Sequence, residues 1–351
     1  MQEAKTEGPR GCTKEELGEL LVFLHNIFKP GLDESINVGL EYSHVISSAM
    51  NDSENLRIIK YNREIVSHVG IHEIYVNIDE LKLKVGAIFG VATHPNFRGK
   101  GFATILLKDA TEKMIRENYD VSILWTGIPE FYRKLGWENA GSKTTFHFNN
   151  SNIEVLPDYK DLEIRKVEDE SELKTIVSLH NETNGVVWSE NAAKLLLSRQ
   201  AIETYLALRN ESKGYAVIRG SRIIDFSGDS NMILALIKYM FVSKKLERIE
   251  FQVPSNSKEA GTLKYFGVPF EEDYIGMMKI INLNNLKETL AKCRINVERM
   301  NDAHYLVKQC TEERILDEKQ LTKLIFGPEV ITQFKCSSLP INFYVAPIDQ
   351  I

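Results

Sequence analysis

The sequence predicts an α/β protein with mixed sheets, built twice in tandem and closed by a short C-terminal α/β segment. Three observations carry this. Runs rich in β-branched and aromatic residues alternate with runs of helical apolar spacing. A polar, turn-rich stretch, "NNSNIEVLPDYKDL", interrupts the pattern near residue 150, and the same order of elements then starts again. A length of 351 residues suits two or three domains. The expected division is 1–150, 151–284 and 285–351.

Residues 1–13 read as a loose leader. "TKEELGELLVFLHNIF" reads as a helix, with Thr13 as N-cap, Glu16 completing a capping box, and Leu17, Leu20, Leu21 and Leu24 on its apolar face. "KPGLDES" breaks it, and "INVGLEYSHVISSAM" reads as a second helix. Strands follow in "NLRIIKYN", "EIVSHVGIHEIYVNI" and "LKLKVGAIFGVATHP". A helix runs through "GFATILLKDATEKMIREN", with Ala103, Leu106, Ala110 and Met114 on one face. "VSILWTGI" reads as a strand, "PEFYRKLG" as a short helix closed by Gly136, and "WENAGSKTTFHF" as a strand.

After the boundary, "LEIRKVEDESELKTIVSLHNETNG" gives a strand and a helix, followed by "SENAAKLLLSRQ". "ETYLALRN", "KGYAVIRG" and "RIIDFSGD" are strand-like. Then come the helix "SNMILALIKYMFVSK", the strand "LERIEFQVP", the helix "KEAGTLKYFG" and the strand "YIGMMKIINL". The copies share an order of elements rather than residues, apart from one echo: "FYRKLGW" and "LKYFGVP" hold matching places. The tail opens with the helical "NLKETLAKC" and ends on "LPINFYVAPIDQI", apolar enough to be buried.

A net charge of −6 argues against a chain that coats nucleic acid. No apolar run approaches the ~18 residues that span a bilayer, and the first residues lack a secretory core. Cys12, Cys293, Cys310 and Cys336 include no C-x-x-C pair, so neither a zinc site nor a redox pair is expected. Scattered cysteines without a signal fit a reducing compartment. The expected protein is cytoplasmic, without metal, nucleic acid or membrane as partner, and a homo-oligomer stays open.

The chemistry gathers in "HPNFRGKGFATILL", His94 to Leu107. Glycines and cations stand between a strand and a helix. A helix N-terminus offers unpaired N–H groups and about half a positive charge, which suits phosphate. Glycine lets the backbone approach closely, and Arg98 and Lys100 add charge. The spacing fits neither the nucleoside triphosphate loop nor the dinucleotide fingerprint. A plain strand-to-helix turn is the other reading.

"VATHPNFRGKGFA" resembles the acyl-CoA-binding motif of the GNAT superfamily of N-acetyltransferases, with Val91, Pro95, Arg98, Gly99, Gly101 and Ala103 at its positions and Thr93 in place of the usual Val. The resemblance implies that the N–H groups of Arg98, Gly99, Lys100, Gly101, Phe102 and Ala103 hold the CoA pyrophosphate. It implies that Val91, Ala92 and Thr93 pair with the pantetheine arm like an added strand. "FYRKLGW" resembles a second motif of the family and implies Tyr132 as the general acid that protonates the CoA thiolate.

The overall plan resembles the Eis-like acetyltransferases, with a catalytic GNAT domain, a degenerate GNAT-like domain and a C-terminal domain similar to sterol carriers. The tail here is shorter than that third domain. Where a second phosphate loop would fall, the chain reads "DFSGDSNMILAL", and Asp225 and Asp229 would repel an anion. In the Eis-like group the terminal carboxylate enters the active site, which implies a catalytic role for that of Ile351. Other groups that could take the amine proton are His72, Glu73 and His94. Asp33, Glu34 and Glu41 either attract a cationic amine or form a solvated face. The expected activity is transfer of an acetyl group from acetyl-CoA to a primary amine by direct attack. The alternative is a CoA-binding sensor without turnover.

Overall fold

The computed structural model describes residues 5–29, 45–46, 52–301, 304–328 and 339–350. The first strand, β1 (Thr6–Gly11), lies within the stretch read as a leader. Thr-Glu-Gly-Pro-Arg-Gly has little strand propensity. It is an edge strand, held by backbone pairing with β2 (Leu56–Tyr61). Between them runs α1 (Leu17–Phe28), which starts later than the capping-box reading places it and has no side-chain cap. Glu16 does accept from the Thr13 N–H at 3.0 Å, but it is also drawn to Arg10 and Lys60, at 2.8 and 3.0 Å. Of the second expected helix, Val45 and Ile46 are described and helical. Asp33, Glu34 and Glu41 lie outside the described residues.

β3 (Glu64–Ile78) and β4 (Leu81–Thr93) form a long antiparallel hairpin. α2 (Phe102–Arg116) buries Leu106, Leu107, Ala110 and Met114 and brings the chain back into β5 (Val121–Leu124), parallel to β4. α3 (Pro129–Arg133) and β6 (Glu138–Ala140) follow. "WENAGSKTTFHF" is then two strands rather than one. The chain turns at Gly141, at φ +69°, where a Cβ would stand 2.4 Å from the Ile275 side chain. β7 (Lys143–Asn149) leaves for the second sheet.

The second copy contains β8 (Glu163–Lys166), α4 (Glu170–Asn181), β9 (Gly185–Val186), α5 (Glu190–Leu197), β10 (Ile202–Arg209), β11 (Ser212–Arg219), β12 (Arg222–Gly228), α6 (Ser230–Ser243), β13 (Arg248–Pro254), α7 (Lys258–Tyr265), β14 (Phe270–Asp273) and β15 (Gly276–Ile280). β12 and β13 are parallel, as β4 and β5 are. The echo between the copies is structural. Gly136 follows α3 at φ +94°, and Gly267 follows α7 at φ +70°.

The two sheets exchange strands. β7 pairs with β13 from Lys143–Pro254 to Asn149–Arg248. β15 returns to pair with β5 and inserts between β5 and β6. The first sheet therefore runs β1-β2-β3-β4-β5-β15-β6, with β9 on the edge of β3, and the second runs β14-β7-β13-β12-β11-β10-β8.

The tail contributes α8 (Lys287–Lys292), a three-stranded sheet of β16 (Ile295–Arg299), β17 (His304–Gln309) and β18 (Glu312–Asp317), and α9 (Glu318–Phe326). α9 opens on a capping box of Asp317 and Gln320. Cys293 is disulfide-bonded, so it is not a free thiol. One apolar cluster joins all three parts, including Val85, Ala87 and Ile123 of the first sheet, Val217 and Ile224 of the second, and Val307, Leu321 and Phe343 of the tail. Each of these valine, leucine, isoleucine and phenylalanine side chains contributes roughly 1.5–3 kcal/mol when buried. Among the described residues no helix is long and apolar enough to cross a membrane.

Candidate functional site

β4 and β5 pair only at Val85–Val121, Gly86–Ser122 and Ala87–Ile123. β5 ends at Leu124, whereas β4 continues to Thr93. Beyond Ala87 the edge of β4 that faced β5 has no neighbouring strand among the described residues. Such an edge can pair with an extended ligand as it would with another strand.

A bulge lies in this free stretch. Ile88 and Val91 pack in the same cluster although they are three apart, which a regular strand would not allow. The register against β3 shifts between His68 and Gly70, and Gly90, at φ +59°, is the extra residue. A Cβ there would meet the His68 ring at 3.1 Å. The His68 Nδ1–H donates to the Gly90 carbonyl at 2.7 Å. Burial pushes the His68 pKa down to about 4, so the ring stays neutral. A neutral ring that donates from Nδ1 has a bare Nε2, and that nitrogen has no partner among the described residues.

His68→Leu strands the Gly90 carbonyl, at a cost of about 1–3 kcal/mol. It is expected to lower the midpoint of thermal unfolding, while His68→Asn, which keeps a donor, recovers part of the loss. Thermal unfolding of both variants decides this, and an unchanged midpoint in the Leu variant rules out a role for the ring in shaping the bulge.

The loop after β4 is open. Pro95–Phe97 forms a single 3₁₀ turn. Gly99 and Gly101 take φ of +77° and +82°, with no heavy atom within 4 Å of either Cβ position. Backbone conformation rather than crowding therefore demands glycine here. Gly101 is the N-cap of α2, which has no side-chain cap and no acid in its first turn. Among the described residues no side chain caps its leading N–H groups. The Arg98 Nε–H donates to the Thr93 carbonyl at 3.3 Å, which ties the loop to the strand end. Lys100 sits over the Phe97 ring at 4.5 Å, and Phe97 stacks on Phe102. Thr93 Oγ1 is 3.0 Å from Ser67 Oγ, Ala92 is buried, and Val91 and Ala103 are half-buried.

Tyr132 sits in α3 and is 7% exposed. It shares an apolar cluster with Val91, Phe97 and Phe102, so strand end, loop and α3 converge. Burial raises the Tyr132 phenol above its ordinary value, and the Thr126 hydroxyl, its hydrogen-bond partner, offsets part of this. The phenol therefore keeps its proton at neutral pH. Sequence reasoning missed Thr126, His68 and the bulge. An isolated glycine in a strand, as in "IFGVAT", was the available signal for the last.

The other candidates lie apart. Glu73 accepts from Tyr119 OH at 2.8 Å and pairs with Lys84 at 3.1 Å, so it is not an idle base. Burial pushes His72 down to about 4. His94 Nδ1 accepts from the Asn96 N–H and serves the turn. Ile351 lies outside the described residues.

The second copy has the same fork but a filled helix end. β12 and β13 pair only at Arg222–Glu250 and Ile223–Phe251. The Asp229 carboxylate accepts from the N–H groups of Asn231 and Met232 at the head of α6, the place of the open nest of α2. Tyr344 of the tail donates to the Gln252 carbonyl of β13 at 3.1 Å. Among the described residues no cluster of His, Cys, Asp and Glu is arranged to hold a metal.

Residues 20–140 match the family model described as an acetyltransferase (GNAT) domain, so the chain carries such a domain. Among solved structures the chain is similar to a GCN5-related N-acetyltransferase from Kribbella flavida, at 14% identity and a TM-score of 0.64, covering 89% of this chain and 84% of that one. It is similar to a conserved protein of unknown function from Enterococcus faecalis V583, titled a probable N-acyltransferase, at 14% identity and a TM-score of 0.68, covering 92% and 90%. It is also similar to Eis1 from Mycobacterium abscessus, at 11% identity and a TM-score of 0.58, covering 89% and 84%. At these identities the likeness is one of fold. No curated protein matches the chain in sequence.

Proposed function

We propose that the first copy transfers an acetyl group from acetyl-CoA to a primary amine. One observation carries this reading: a strand edge left open by the fork after Ala87 leads from an unfilled helix N-terminus to a buried, protonated tyrosine. The N–H groups from Arg98 to Ala103 take the pyrophosphate, with Arg98 and Lys100 adding charge. Val91, Ala92 and Thr93 pair with the pantetheine arm. Backbone donors at the bulge polarise the thioester carbonyl.

The neutral amine nitrogen attacks the carbonyl carbon and forms the C–N bond. The tetrahedral intermediate then collapses and the C–S bond breaks. Tyr132 gives its proton to the thiolate, and the proton lost by the amine passes to solvent and restores the phenol. The second copy, whose helix end is occupied by Asp229, serves as structure and as a wall of the site.

Thiol release from acetyl-CoA with a panel of small amines tests the reading. The expected result is amine-dependent release. Tight CoA binding without release for any amine would instead make the chain a sensor.

A further inference from the structure

His180 of α4 is 5% exposed and stands where the three parts of the chain meet. Its Nε2 lies 2.6 Å from the Val186 carbonyl. Its Nδ1 lies 2.7 Å from the Tyr215 hydroxyl and 3.3 Å from Asp225 Oδ2. A carbonyl only accepts, so Nε2 carries a proton. The Tyr215 hydroxyl donates to Asp225 Oδ2 at 2.5 Å, which leaves its oxygen as an acceptor facing Nδ1. A neutral ring has a single N–H and serves one of these sides only. The arrangement fits an imidazolium that donates from both nitrogens, beside a carboxylate that is itself 3% exposed.

The ring reaches the other two parts through its neighbours. Val186 lies in β9 and pairs with Val76 of β3, and the next N–H, that of Val187, donates to the Tyr75 carbonyl at 2.7 Å. The carbonyl gripped by His180 therefore belongs to a strand of the first sheet. The ring also stacks on Trp188, with centroids 3.7 Å apart and planes 12° from parallel. A charged ring suits an aromatic face. The Trp188 indole N–H donates in turn to Asp349 of the tail.

We infer that His180 is a proton-held clamp: while charged it fastens β9 and Trp188 to the second copy, and loss of its proton loosens their junction with the first sheet and the tail. The clamp goes beyond acetyl transfer and does not rest on it.

The charged and titratable groups around the ring are Asp225 of β12, Tyr215 of β11 and Asp349, with Arg199 and Tyr344 acting on or beside that carboxylate. Burial pulls the His180 pKa down, but Asp225 and Asp349 outweigh it and raise it above its ordinary 6.5. Burial raises both phenols, so they keep their protons. The folded chain thus holds the His180 proton where the unfolded chain has lost it. That stabilisation is complete below 6.5 and is lost as pH rises through the raised value. Burial pushes Asp349 up to about 7, which adds a fall of the same sign at lower pH.

Amide hydrogen exchange on the full chain without acetyl-CoA, from about pH 6 to about pH 9 and corrected for the intrinsic rate, tests the clamp. Protection of the Val187 and Trp188 amides is expected to fall with rising pH, about tenfold for each unit by which the fold raises the His180 pKa, while the amides of α2 keep theirs. His180→Gln keeps an N–H for the Val186 carbonyl without the charge. It is expected to start less protected and to retain only the share due to Asp349. Asp225→Asn is expected to move the fall to lower pH. In wild-type chain with labelled histidine rings, NMR is expected to show His180 titrating above 6.5.

Unchanged protection of Val187 and Trp188 across the range, or a His180 ring that titrates below 6.5, overturns the clamp. An equal fall in His180→Gln assigns it to another group and overturns the clamp too. The wild-type measurements need no variant, so a folding defect in either substitution leaves them decisive. No readout involves thiol release, so the clamp and acetyl transfer fail separately.

Discussion

Tyr132→Phe is expected to lower kcat by about 10² to 10⁴, the span of positioned proton transfer, and to leave the KM for acetyl-CoA nearly unchanged. The ring stays, so its edge-on contacts with Phe131 and Trp137 persist. The hydrogen bond between the phenol oxygen and Thr126 is lost, worth about 0.5–1.5 kcal/mol of stability. That is too little to unfold a chain with a core of this extent. A lowered kcat in a folded protein that still binds cofactor thus reports the missing proton. Because burial raises the phenol's pKa, the acid form persists through neutral pH and is lost only on the alkaline side. Wild-type kcat should fall there, and the Phe variant should lack that limb. Steady-state kinetics across pH measure both, and an unchanged kcat removes Tyr132 as the acid.

What was legible in the sequence follows from where the information resides. The loop from His94 to Ala103 carries its own conformation: Gly99 and Gly101 occupy positive φ, and α2 begins where its apolar spacing begins. Helices α2, α6 and α7 were legible for the same reason. The exchange of β7 and β15 was not, because an alternating strand such as "KTTFHFN" fits either sheet. Its partner is set by the turn at Gly141 and by the shape of Ile275, 134 positions later in the chain. β1 was invisible because its backbone, rather than its side chains, makes it a strand. His68 looked like any core histidine. Its link to Gly90, 22 residues away, exists only once the hairpin is paired. The hydrogen bond from the Trp188 indole N–H to the Asp349 carboxylate is the same case at longer range, since the two lie 161 positions apart.

Gly101→Asp is expected to abolish useful acetyl-CoA binding while the protein stays folded. The second copy motivates the substitution, for Asp229 there already accepts from the two N–H groups that head α6. A carboxylate at residue 101 has open space and would claim the same donors of α2. Two charge-assisted hydrogen bonds to pyrophosphate, about 1.5–3 kcal/mol each, are then replaced by repulsion. Affinity falls by about 10² to 10⁴. Stability hardly moves, because a cap contributes about 0.5–2 kcal/mol and the left-handed backbone costs an L-residue about 1–2 kcal/mol. Gly101→Ala separates the two effects. It bears the backbone cost without the carboxylate, so it loses stability and keeps most of its affinity. Calorimetric titration with acetyl-CoA beside thermal unfolding reads both quantities. Wild-type affinity in Gly101→Asp would place the cofactor's anion somewhere other than the head of α2, and the open nest would then be a turn after all.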